Sequence, residues 1–157
     1  MKKYPLQQLL DIRERREESA TKALQKARQA AEAAERERDT AREGLEAFRN
    51  QRVQLERQKY AEVLGQQVNR IRLDELFEDL GRIAEQQVGL EERLLESERA
   101  VEQRRAEQEQ MLQQYRTAYR DREKIAEHRR QWLVTELLVA EQSLDKELED
   151  FRTLSQQ

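Results

Sequence analysis

"EVLGQQVNRIRLDEL", residues 62–76, is the stretch that decides how the chain folds. Gly65 is the best helix stop in it, because glycine accepts the left-handed backbone that closes a helix. Asn69 or Asp74 can cap a helix that restarts beyond it. One stop and one restart in a helical chain make a hairpin. Without that bend the same residues would read as one unbroken helix, the form expected of a parallel dimer.

Outward from the bend, both flanks carry the 3–4 apolar spacing of a coiled coil. Before it the seam runs through Ala20, Leu24, Ala27, Ala31, Ala34, Arg38, Ala41, Leu45, Phe48, Arg52 and Leu55, nine of the eleven being apolar. Its alanine-rich first part calls for close approach of the partner helix. After the bend the seam takes Leu73, Leu76, Leu80, Ile83, Gln87, Leu90, Leu94, Ser97, Val101, Arg104, Gln108, Met111, Tyr115 and Ala118. Beyond Arg122 and Ile125 the spacing slips to a neighbouring stripe of Leu133, Leu137, Ala140, Leu144, Leu148 and Phe151. Gly44, Gly81 and Gly89 interrupt neither pattern, so they read as soft points inside helices.

Composition agrees. Charged residues make up 40% of the 157, with 4 glycines and 1 proline, the signature of long helices rather than of a disordered chain. Aromatics at 5% cannot fill a thick core, but they suit a thin seam. The expectation is an all-α fold, two long helices forming an antiparallel coiled-coil hairpin. It is a single domain with a helix over 5–63, a turn over 64–70 and a helix over 71–153. At 1.5 Å per residue these helices are about 90 and about 125 Å long, so Leu6 falls opposite roughly residues 128–130. Everything past Trp132 overhangs. The stretch "WLVTELLVA", 132–140, is therefore expected to present an apolar stripe without an internal partner. Trp132 can close the open end against Tyr4, Pro5 and Leu6, or meet a partner directly; the two readings are compatible. The acidic run Glu147, Glu149 and Asp150 sits against the helix dipole, so the last turns are expected to fray.

Several functions fall away. There is no cysteine, hence no disulfide or thiolate metal site, and a single histidine, His128, which reads as a hairpin-end residue. No Gly-rich phosphate loop is present, and a two-helix fold offers no pocket for a Ser–His–acid set. No enzyme activity, metal or cofactor is expected. Residues 1–64 hold 15 Lys/Arg against 12 Asp/Glu and residues 65–157 hold 15 against 21, which gives no concentrated basic face for nucleic acid. No apolar run reaches the ~20 residues of a membrane span, and "MKKYPLQQLLDI" lacks a signal peptide's apolar core.

The segment "KYPLQQLLDIRERREESATKAL", 3–24, resembles the opening of the FliJ/YscO family, coiled-coil stalk proteins of bacterial type III export machines. Lys3, Tyr4, Leu6, Leu9, Leu10, Ile12 and Arg13 match its pattern of a basic residue, an aromatic and spaced leucines, and "HRRQWLVTELLVAEQSLDKELEDF", 128–151, is similar too. The resemblance implies a non-enzymatic central stalk that inserts into a hexameric export ATPase and couples it to the membrane export gate. Some family members also handle secretion chaperones. It implies ATPase contacts at Tyr4, Leu6, Leu9, Leu10, Arg13, Arg129, Arg130, Trp132, Leu133, Leu137 and Leu138, with Arg15 and Arg16 adding charge. It places gate contacts at Leu73, Leu76, Phe77 and Leu80, and the protein in the cytoplasm, peripheral to the inner-membrane export apparatus. "KYPL" and the late His–Trp segment favour the injectisome branch over the flagellar one. The rival is a membrane-associated or structural helical-hairpin adaptor, with "PLQQLLDI" as an amphipathic foot flanked by Lys2 and Lys3.

Overall fold

The computed structural model describes residues 3–154; Lys2, one of the two lysines flanking the amphipathic foot, lies outside them. Two helices, α1 (Gln7–Ala61) and α2 (Arg70–Leu154), account for nearly all of the described chain, and no strand occurs among the described residues. They pack against each other as a helical hairpin, and the unbroken helix of a parallel dimer is ruled out. The described residues divide into two compact units: a terminal unit, residues 3–25 with 110–154, and a bend unit, residues 26–109.

In the bend unit, Gly65 has φ 77°, so it takes the left-handed conformation that stops α1. The Leu64 N–H reaches back to the Tyr60 carbonyl at 3.0 Å, closing the last turn. Asn69 supplies the next start: its Oδ1 accepts the Arg72 N–H at 2.9 Å, a side-chain N-cap. Asp74 lies inside α2 instead. Gly44, Gly81 and Gly89 all remain helical.

The bend unit's seam is buried at Ala31, Ala34, Leu45, Phe48, Leu76 and Val101. Small alanines fill the first part of this seam on α1, and the larger Leu45 and Phe48 fill it nearer the bend. Paired charges flank it in antiparallel register: Glu35–Arg105 at 2.6 Å, Arg42–Glu98 at 3.6 Å, Arg49–Glu91 at 3.1 Å and Lys59–Asp79 at 3.1 Å. Three expected seam positions, Leu55, Leu73 and Arg104, are exposed. Leu55 is exposed and Glu56 half-buried, because α1 takes a four-residue step from Arg52, whose guanidinium bonds Gln87 of α2 at 2.8 Å and Glu56 at 2.6 Å. Arg104 is also exposed, tied along its own helix to Glu107 at 2.8 Å.

In the terminal unit the chain enters through a turn at Pro5–Leu6, with the Gln7 N–H donating to the Tyr4 carbonyl at 3.2 Å. Proline's fixed φ suits that turn and cannot extend α1 backwards through residue 5. The seam expected to begin at Ala20 continues through Glu17, Arg13 and Leu10 at the same 3–4 spacing. Leu10 is 2% exposed. Glu17 and Arg13 keep the register by pairing across it, Glu17 with Arg122 (2.6 and 3.1 Å) and Arg13 with Asp121 (2.8 Å). Bidentate hydrogen bonding to Glu17 raises the Arg122 pKa, holding that guanidinium more firmly charged. Arg122 also lies over the Tyr119 ring, 5.0 Å from its centre.

Candidate partner-binding surfaces

The terminal unit brings the one tryptophan and the one histidine onto Tyr4. The Tyr4 hydroxyl is 2.7 Å from His128 Nδ1 and its ring centre is 5.5 Å from that of Trp132. Tyr4 is buried by these contacts and ties the segment before α1 to α2. His128 is here a hydrogen-bonding partner at the open end of the helix pair. Trp132 is half-buried against Tyr4, and lines with Lys3, Pro5, Gln8 and Arg129 a shallow groove whose floor is the tyrosine.

The remaining residues that the resemblance assigns to the ATPase separate by burial. Leu10 joins Tyr4 inside, and Arg13 is engaged by Asp121; Leu9 and Leu133 are half-buried at the seam margin. Arg130 is held by Glu123 and Glu127, both at 2.7 Å, and hydrogen bonding to it lowers the Glu127 pKa. Leu6, Arg129, Leu137 and Leu138 face solvent, as do Arg15 and Arg16. Of the residues so assigned these are open to solvent, with the half-buried Trp132 and Leu133 beside them.

From Leu137 to Arg152 every residue of α2 is exposed, because α1 and its entry turn end opposite His128 and Trp132. Leu144 is 58%, Leu148 62% and Phe151 76% exposed, an apolar row continuing the Leu137 stripe. The helix persists through the acidic run to Leu154 rather than ending before it.

On the bend unit, Phe77 and Ile71 are 64% and 69% exposed, Leu64 also faces out, and Leu73 lies at the margin. Leu76 is buried in the seam and Leu80 half-buried, so of the four gate candidates only Phe77 and Leu73 present surface. Leu64 and Ile71 were missed in the sequence because each falls off the 3–4 spacing, one in the turn and the other between two arginines. Among the described residues, no group of His, Asp and Glu is placed to hold a metal ion, and no helix is long and apolar enough to cross a membrane.

The described residues thus form a helical hairpin with exposed apolar rows on both of its units. The family model described as type III secretion protein YscO matches residues 6–154, and the chain belongs to that family. Among solved structures it is similar to the type III secretion protein YscO of Vibrio parahaemolyticus, at 23% identity and TM-score 0.78, over 92% of this chain and 90% of that one. It is also similar to a YscO homologue from Chlamydia trachomatis, at 19% identity and TM-score 0.73, over 98% of this chain and 94% of that one. At those identities the likeness is one of fold. No curated protein compared with the chain matches it.

Proposed function

We propose that the chain is the non-enzymatic central stalk of a type III export apparatus, of the injectisome branch. Its terminal unit engages the hexameric export ATPase and its bend unit meets the membrane export gate. Exported-protein chaperones are further partners. The chain works in the cytoplasm, peripheral to the inner membrane. The observation that carries the reading is the exposed apolar row after Glu136, on a member of the YscO family. A helix face of that kind is stable only as part of a larger assembly or at the cost of keeping leucines in water. Leu137 and Leu138 with Arg129 supply the ATPase contact, Trp132 and Leu133 border it, and Leu73, Phe77, Ile71 and Leu64 supply the gate contact. No chemistry is required of the stalk, because contacts that differ between ATPase subunits bias which subunit closes.

The test is ATP hydrolysis by the purified export ATPase with and without the chain, alongside co-purification of the two. Stimulation that is lost with Leu137→Ala/Leu138→Ala, while helix content is unchanged, supports the stalk. No association would return the chain to a helical-hairpin adaptor.

A further inference from the structure

The overhanging part of α2 is patterned in charge as well as in apolarity. At 3.6 residues per turn, Leu137, Ala140, Leu144, Leu148 and Phe151 fall on one stripe about 21 Å long. Glu136 and Glu147 lie along one shoulder of that stripe, Glu141 and Asp145 along the other. Lys146 is on the opposite face, and Arg152 comes only in the last turn. In paired helices the residues on these shoulders meet the partner's shoulders and decide what can pair. Two such stripes facing each other would set carboxylate against carboxylate, so a second copy is disfavoured. An anionic bilayer is disfavoured for the same reason. The fit is to a groove with an apolar floor and lysines or arginines at both rims.

We infer that the overhang, residues 137–151, docks into an apolar, basic-rimmed protein groove, and that Glu141, Asp145 and Glu147 select it. This rests on the proposed function in taking that groove to belong to the export ATPase. Attraction between the shoulders steers encounter and aligns the stripe, and burial of Leu144, Leu148 and Phe151 holds it.

The experiment measures binding of the full-length chain to the purified export ATPase of the same bacterium at low and high salt. Its variants are Glu141→Lys/Asp145→Lys/Glu147→Lys and Leu144→Gln/Leu148→Gln. Both lie outside the α1–α2 seam, and circular dichroism checks that both stay helical. Charge reversal should weaken binding roughly tenfold or more and abolish the salt dependence seen with the unaltered chain. The glutamine variant should weaken binding at both salts. Binding by the charge-reversed chain as tight at low salt as that of the unaltered chain would overturn the inference while leaving the stalk reading standing. Absence of binding by the unaltered chain would remove both. Self-association in sedimentation, or flotation with phosphatidylglycerol vesicles, that disappears in the glutamine variant would also overturn it by giving the stripe to a different occupant.

Discussion

Leu10 shows how little a residue's type says about its direction. Leu6, Leu9 and Leu10 form one leucine cluster, yet Leu10 is buried, Leu9 half-buried and Leu6 exposed. The seam passes through Leu10 only if it also passes through Arg13 and Glu17, two charged residues that hide the spacing when apolar positions alone are followed. Their ion pairs across to α2 replace apolar contact and fix register. Leu10→Ala should cost about 2–4 kcal/mol, read as a fall in the midpoint of chemical unfolding. Asn69→Ala removes the cap on α2 and should cost about 1 kcal/mol by the same measurement. The Tyr4–His128 hydrogen bond was not legible at all, since it joins residues far apart in sequence. Its only trace was the count that brings the start of the chain opposite the late 120s.

At the scale of the element, α1 and α2 were readable because period and breakers agree. The 3–4 spacing dies at Gly65, where the backbone turns left-handed, and resumes after Asn69. What spacing alone could not supply was rotation. A four-residue step at Arg52 moves the seam from Leu55 to Glu56, and nothing in residue type forecasts that a glutamate will be the better covered of the two. The overhang gives the complementary lesson. Its apolar residues are as regular as those of a core, but they lie past the reach of α1. Substitutions there should leave the hairpin's own stability intact: Leu144→Ala/Leu148→Ala is expected to move the thermal midpoint of the free chain by no more than about 1 °C. An equivalent pair inside the seam, Leu45→Ala/Phe48→Ala, should cost several kcal/mol. A large loss from the overhang pair would mean that the chain covers its own stripe.

For the molecule as a whole, carboxylates set the pH range of stability. The pKa values of Glu18, Glu91, Glu107 and Glu127 are lowered by hydrogen bonds to Lys22, Gln87 with Arg49, Arg104, and Arg130, respectively. A group whose folded pKa is depressed contributes its stability above the unfolded value and loses it as pH falls through the folded one. The thermal midpoint should therefore be flat from neutrality down to the ordinary carboxylate value of 4.5 and decline below it. These carboxylates keep much of their surface in water, so each share is small and also fades with salt.

The central claim is that the apolar row after Glu136 is covered by a partner and not by the chain. Hydrogen–deuterium exchange of the free chain, and of the chain with purified export ATPase, tests it most directly. In the free chain, amides of residues 140–152 should exchange much faster than those of residues 111–125, which pack on α1. On adding the ATPase, residues 137–152 should become protected. Slow exchange over 140–152 in the free chain, or no protection there when ATPase is bound, would contradict it.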